Sequence, residues 1–380
     1  MEYVKLGDIC TKVCSGGTPT SSNPAYYDGN IPWLNTNEVN FCNIYSTNKT
    51  ISEEGLKKSA AKYVPENTVI VAMYGVTAGK CAIAKIPLTT NQACCNLIID
   101  KEKADYCYVY YYLRQQSDSL NKLAIGGAQQ NLNALTIKKF KIALPTLPTQ
   151  KKIASILSAY DRLIENNTRR IRLLEQMAEN LYKEWFVRFR FPEHEKVEMV
   201  NGLPKGWKIK RYEEELNIRY GKGLSTEQLK EEGYPVFGSN GQIGFYDSYM
   251  YDNPQILISC RGASSGIVNI SLPKSFITSN SLICERTEKT ESLYEYLKYY
   301  FLNNNLVQYQ TGSAQPQITI NNIVKLKLLV PELKVQRSFS EKIRVIDMEI
   351  YNLQSQIQLL TRQRDLLLPR LMSGKLEVKS

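Results

Sequence analysis

The side chains of this chain best suited to chemistry sit in two pairs of short polar loops. Met73-Tyr74-Gly75-Val76-Thr77-Ala78-Gly79 parallels Cys260-Arg261-Gly262-Ala263-Ser264-Ser265-Gly266 at an offset of 187, and Thr90-Asn91-Gln92 roughly parallels Ser279-Asn280-Ser281 at 189. Their hydroxyls and amides both donate and accept hydrogen bonds, which suits the edges of nucleic-acid bases. Ordinary hairpin turns use the same residue types, so any one loop also reads as turn chemistry. The net charge of +11 and isoelectric point near 9.0 favour an anionic partner, most often nucleic acid, although acidic lipid has the same sign.

Residues that could make or break bonds are scarce. His194 is the only histidine, which excludes most acid-base and triad arrangements. No Gly-x-x-x-x-Gly-Lys-Ser/Thr sequence occurs, so no P-loop is expected, and no carboxylate cluster stands out as a nuclease centre. Ser21-Ser22-Asn23-Pro24-Ala25-Tyr26-Tyr27 resembles the Asn-Pro-Pro-Tyr motif of amino-methyltransferases, but Ala25 replaces the second proline and no glycine-rich methyl-donor loop accompanies it. An Asn-Pro turn is the expected structure there. The nine cysteines form no framework, and free buried thiols are expected. Cys10-x3-Cys14 and Cys94-Cys95 lack the histidine partners of a zinc site. No run of 18 apolar residues occurs and the first residues lack a signal-peptide core, so a cytoplasmic location without a membrane contact is expected.

The elements that must position these loops are repeated. Ala128-Gln129-Gln130-Asn131-Leu132 answers Ala314-Gln315-Pro316-Gln317-Ile318, and Lys139, Lys141, Pro145, Leu147 and Gln150 answer Lys325, Lys327, Pro331, Leu333 and Gln336, all at an offset of 186. Strands are predicted over 68–73 and 81–86, then 255–260 and 266–270, and tyrosine-rich helices over 106–116 and 293–303. A heptad seam follows each copy. Its predicted core comprises Leu157, Tyr160, Ile164, Asn167, Ile171, Leu174 and Leu181 in one helix and Ile343, Ile346, Ile350, Leu353, Ile357, Leu360 and Leu367 in the other. An antiparallel pair is expected, with Asn167 near Leu353 as a polar register device. From Gln150 to Phe186 the first helix would run roughly 55 Å at about 1.5 Å per residue. Pro369 is expected to break the second helix near its end, and Gly374 to stop it. The expected division is therefore a globular domain over 1–149, a helix over 150–191, a linker over 192–202, a second globular domain over 203–330, a helix over 331–372 and a tail over 373–380. The fold class is α+β, with two pseudo-symmetric α/β domains and two long helices in an antiparallel coiled coil.

Over its whole length the chain resembles the specificity subunit of a type I restriction-modification enzyme. The resemblance rests on Leu147-Pro148-Thr149-Gln150-Lys151-Lys152-Ile153 leading to Ala159-Tyr160-Asp161-Arg162-Leu163-Ile164, and on Leu181-Tyr182-Lys183-Glu184-Trp185-Phe186. It rests also on Leu203-Pro204-Lys205-Gly206-Trp207, Thr311-Gly312-Ser313-Ala314-Gln315, Ser15-Gly16-Gly17-Thr18-Pro19 and the ending Leu368-Pro369-Arg370-Leu371-Met372-Ser373-Gly374-Lys375-Leu376. It implies a non-catalytic, sequence-specific DNA-binding subunit in which each globular domain reads half of a split target. It implies two modification subunits, docked on the coiled coil, that methylate adenine with S-adenosylmethionine. Separate restriction subunits would use ATP and Mg for translocation and cleavage, and this chain would hold no cofactor and no metal.

On that basis Lys80, Lys138, Lys141, Lys222, Arg261, Lys274 and Lys327 are expected to position phosphates of double-stranded DNA. Thr36, Asn37, Tyr74, Thr77, Asn91, Gln92, Gln129, Ser239, Asn240, Ser264, Asn280 and Gln315 are expected near bases. Gln129 and Gln315 have a competing role in tying each domain to its helix. The main alternative is a non-enzymatic coiled-coil adaptor that binds nucleic acid only by charge; a fused methyltransferase with a degenerate centre at Asn23 is another.

Overall fold

The computed structural model describes residues 2–123, 131–312 and 315–378, so Gln129 lies outside the described residues. These residues divide into two compact units, one running to Asn167 and resuming at Ser355, the other Thr168–Gln354. Each contains a globular part and lengths of both long helices.

The first unit opens with β1 (Glu2–Lys5), β2 (Cys10–Ser15), β3 (Tyr27–Leu34), β4 (Cys42–Ile44) and β5 (Lys49–Ile51). After the short α1 (Glu53–Lys57) come β6 (Val69–Ala72), β7 (Cys81–Ala84), β8 (Thr89–Thr90) and β9 (Cys94–Ile99). The tyrosine-rich α2 (Tyr106–Gln115), the short α3 (Ser117–Asn121) and α4 (Ala134–Lys139), and β10 (Lys141–Leu144) lead into α5 (Leu147–Tyr182). The second globular part has β11 (Met199–Val200), β12 (Leu203–Pro204), β13 (Lys208–Arg211), the short α6 (Tyr212–Glu215), β14 (Leu216–Tyr220), β15 (Tyr234–Gly238) and β16 (Gly241–Tyr246). It continues through β17 (Ile256–Ser259), β18 (Val268–Ile270), β19 (Phe276–Ile277), β20 (Ser281–Arg286), α7 (Tyr294–Asn303), α8 (Ile320–Ile323) and β21 (Lys327–Val330) into α9 (Leu333–Met372).

The two globular parts share one topology. A sheet in the order β2-β9-β6-β7-β4 corresponds to β14-β20-β17-β18, the sheet β5-β3-β8 to β16-β15-β19, and the pair β1-β10 to β13-β21. The unusual parallel pairing of β3 with β8 recurs between β15 and β19. Among the described strands β4, part of a longer segment between β3 and β6, has no counterpart in the second part, and the hairpin β11–β12 has none in the first. Central strands are apolar on both faces: Val69 to Ala72, Cys81 to Ala84 and Ile256 to Ile258 are all buried, which is why these short runs carry no alternation. All nine cysteines are free thiols, and burial raises Cys10 and Cys95 from an ordinary value near 9 to about 12.

The repeated residues clamp each globular part to its helix. Gln150, buried on α5, accepts from the Asp105 amide at the start of α2 (2.9 Å) and donates to the Pro145 carbonyl (2.8 Å). Gln336 does the same with the Leu293 amide (2.7 Å) and the Pro331 carbonyl (2.8 Å). Tyrosines add a second tie: Tyr108 donates to the Ala143 carbonyl at 2.7 Å and Tyr296 to the Leu329 carbonyl. The tyrosine-rich helices are thus structural.

Within each unit α5 and α9 run antiparallel. In the first, Arg364 pairs with Asp161 (2.6 Å) and Asn167 Nδ2 donates to Gln356 Oε1 (3.1 Å); in the second, Arg170 pairs with Glu349 (2.6 Å). Residues advancing along one helix meet residues receding along the other. Leu157, Asn167, Ile343, Ile346 and Leu353 are buried, while Tyr160, Ile164, Ile171, Leu174, Leu181, Ile350, Ile357, Leu360 and Leu367 are half-buried. Ile153, Ala154 and Leu157 join the first core beside Leu368, Leu371 and Met372; Ala178, Tyr182, Trp185 and Phe186 join the second beside Phe339 and Ile343.

Three sequence expectations are corrected here. α5 begins at Leu147 rather than 150, since Pro148 falls in the first turn, where its missing N–H has no intrahelical acceptor to lose. Pro369 does not break α9, which continues to Met372, because it removes one bond close to the end while Leu371 and Met372 are held in the first core. The stop is Gly374, at φ +73°. The equivalence of Thr90-Asn91-Gln92 with Ser279-Asn280-Ser281 is out of register: the Asn91 amide donates to Leu34 and the Thr278 amide to Phe237, so Asn91 matches Thr278 at the same offset of 187 as the neighbouring loop.

Candidate nucleic-acid interface

The ends of β2, β3, β6 and β8 bring four loops of the first unit together. Ser15 leads into Gly16, where a Cβ would lie 2.0 Å from the Thr90 carbonyl oxygen, so only glycine allows this approach. Gly17 then donates its amide to that oxygen at 2.9 Å. The turn after β3 is built on Glu38, whose carboxylate accepts from the amides of Asn35 (3.1 Å) and Asn48 (2.9 Å). The β6–β7 hairpin turns at Gly75 and Gly79, at φ +78° and +79°, and leaves Tyr74 exposed and Val76 almost wholly so. Further contacts knit the loops: Thr77 donates to the Thr36 carbonyl (2.8 Å), and Asn91 Nδ2 donates to Asn35 Oδ1 (3.2 Å).

The second unit builds the same platform with the same backbone bonds. Gly221 replaces Gly16, with a Cβ there 2.3 Å from the Thr278 oxygen, and Lys222 replaces Gly17, donating its amide to Ile277 at 2.9 Å. In the hairpins, Gly79 donates to Ala72 and Gly266 to Ser259; Met73 donates to Ala93 and Cys260 to Asn280; Leu132 donates to Met73 and Ile318 to Cys260. Ser239 Oγ donates to the Asn280 carbonyl at 3.3 Å, while the Ser239 carbonyl accepts from Asn269 Nδ2 at 3.3 Å.

These contacts sort the expected residues. On the first platform Asn37, Tyr74 and Gln92 are exposed and Thr36 and Asn91 half-buried, whereas Thr77 is buried with its hydroxyl spent inside the fold. Lys80 is there too, held by Asn40 Oδ1 at 2.9 Å. The second platform gathers Lys222, Ser239, Asn240, Arg261, Asn280 and Gln315, with Ser264 buried beneath. Lys274 is elsewhere: its turn precedes β19, at the end of the strands opposite the loops. Lys138 and Lys141 belong to the helix junction, Lys138 beside Gly7 and Lys141 opposite Lys5 in the β1–β10 ladder; Lys327 likewise faces Arg211. Sequence reasoning missed Asn35 and Thr18, whose hydroxyl donates to Gln92 Oε1. It also missed the pairing of Gly17 with Lys222, because the extra residues around β4 shift the offset there to 205.

The remaining chemical candidates resolve structurally. Asn23 Oδ1 accepts from the Ala25 amide at 3.1 Å and caps the turn Pro24–Tyr26, as an Asn-Pro turn would. Among the described residues no group of three or more His, Cys, Asp or Glu could hold a metal ion, and no helix is long and apolar enough to cross a membrane.

A chain that builds one polar loop platform twice, each on strands of matching order beside paired long helices, is a duplicated binding protein by class. Its residues 1–176 and 204–361 match the type I restriction modification DNA specificity domain, and the chain belongs to that family, whose specificity subunits are non-catalytic. It is 28% identical to the MjaIX specificity subunit of Methanocaldococcus jannaschii over 99% of this chain and 93% of that one. It is 25% identical to the EcoprrI specificity subunit of Escherichia coli over 88% and 85%. The fold is that of a type I restriction-modification S subunit from M. genitalium, with a TM-score of 0.65 at 20% identity, covering 97% of this chain and 95% of that one.

Proposed function

We propose that each loop platform reads one half of a split sequence in double-stranded DNA. The observation that carries this is the duplication itself: two platforms with the same backbone bonds but different exposed side chains suit two different half-sites. The expected base readers are the exposed Asn37, Tyr74 and Gln92 on one platform and Asn240, Arg261, Asn280 and Gln315 on the other. α5 and α9 would fix the unread spacer and dock two modification subunits. Those subunits would supply S-adenosylmethionine and methylate adenine by flipping it out of the duplex. Restriction subunits would bring ATP and Mg, all in the cytoplasm. Selection from a random duplex library by this chain assembled with modification subunits tests the proposal. Two short motifs at fixed spacing support it; uniform recovery of sequences refutes it.

A further inference from the structure

Arginine is distributed unevenly between the two globular parts. Residues 2–146 contain only Arg114, while residues 203–332 contain Arg211, Arg219, Arg261 and Arg286. All but one are engaged within the fold: Arg114 faces Asp161 and Asp365, Arg211 pairs with Glu213, Arg219 with Glu285, and Arg286 donates to the Ser292 carbonyl. The Arg261 side chain is exposed on the β17–β18 hairpin and makes no hydrogen bond or ion pair with any described residue. Its backbone setting is held firmly: the Cys260 amide donates to Asn280, the Gly262 amide to Pro316 and the Ile318 amide to Cys260, each at 3.0 Å. A free guanidinium on a fixed base carries the fork of donors that matches O6 and N7 of guanine.

The first platform has nothing comparable. Tyr74 stands at the position of Arg261 and Gly17 at that of Lys222, while the local cation, Lys80, is tied to Asn40. What it exposes instead are the amide of Asn37 and that of Gln92, whose Oε1 accepts from the Thr18 hydroxyl and keeps a second lone pair, groups that pair with adenine. We infer that Arg261 is a specificity-determining residue that reads a guanine in the half-site of the second unit, and that the first unit reads its half through amides on adenine. This rests on the split-target function proposed above, and deepens it to the chemistry of each half.

The test is random-duplex selection by the complete complex of this chain with modification subunits, comparing the unaltered chain with Arg261→Ala and Gln92→Ala. The unaltered complex is expected to select an invariant guanine in one half-site. Arg261→Ala is expected to relax that position alone, its preference for guanine falling roughly 5- to 150-fold, with the other half-site and the spacing kept. Gln92→Ala is expected to relax an adenine in the opposite half. A uniform loss of affinity with every position retained would make Arg261 a phosphate contact and overturn the inference, as would relaxation at a base other than guanine. Failure of the unaltered complex to select two motifs would instead overturn the split-target function.

Discussion

Replacing Gln150 or Gln336 with leucine should destabilise the protein by similar amounts, because each glutamine makes the same two buried bonds. The substitution keeps most of the side-chain volume and removes both partners. In the first unit it strands the Asp105 amide and the Pro145 carbonyl, now bound at 2.9 and 2.8 Å; in the second it strands the Leu293 amide and the Pro331 carbonyl, at 2.7 and 2.8 Å. An unsatisfied buried group costs about 1–3 kcal/mol, and the leucine side chain recovers part of that in apolar contact, leaving a net loss of about 2–4 kcal/mol at either site. For a unit of this size each kcal/mol moves the melting temperature by about 2–4 °C, so a fall of roughly 5–15 °C is expected. Differential scanning calorimetry of the two single variants measures it. A shift under about 2 °C at both sites would refute the clamp, and a large shift at one site alone would refute its duplication.

Asp161→Asn should cost about 2–3 kcal/mol in urea denaturation, because Asp161 pairs with both Arg364 and Arg114, whose side chains are only 9% and 15% exposed, and its loss leaves them to the half-exposed Asp365, which also pairs with each. Asp347→Asn, at the equivalent position, should cost less, since among the described residues its one cationic partner is Lys298 and Ala178 replaces Arg364. Asn167→Leu should raise the melting temperature: Asn167 is buried, its partner Gln356 is exposed and can turn to water, and leucine would extend the apolar seam. A fall on calorimetry would show that the hydrogen bond matters more than the apolar gain. Burial raises the Cys10 and Cys95 thiols from near 9 to about 12, so the folded state stays protonated where the unfolded state ionises. Their contribution to stability is complete below pH 9 and declines between pH 9 and 12. Ellman's reagent at pH 9 should label both only after unfolding, and fast labelling of the native protein would contradict this.

Much of the scaffold was legible because it repeats. Gln150 and Gln336 were visible as identical residues, and the structure supplies the reason, a two-bond clamp at each junction. The seams were legible from spacing, and even Arg364, which breaks the pattern, is kept in register by Asp161. The loop pairs were legible only in part. Met73 to Gly79 was matched correctly with Cys260 to Gly266, whereas Asn91 was matched with Asn280, because two asparagines in polar turns look alike and only the parallel β3–β8 and β15–β19 ladders fix their register. Individual site residues were the least legible. Thr77 and Lys80 have suitable types, but packing and hydrogen bonding turn one inward and tie the other to Asn40. Pro369 misled for a related reason: propensity disfavours it, yet the buried Leu371 and Met372 hold the last turn.

The most direct measurement of the central claim is methylome sequencing of cells that carry modification subunits, with and without this gene. The expected result is gene-dependent adenine methylation at one motif made of two short halves with a fixed unread gap. A single continuous motif, or a methylome unchanged by loss of the gene, would contradict the account.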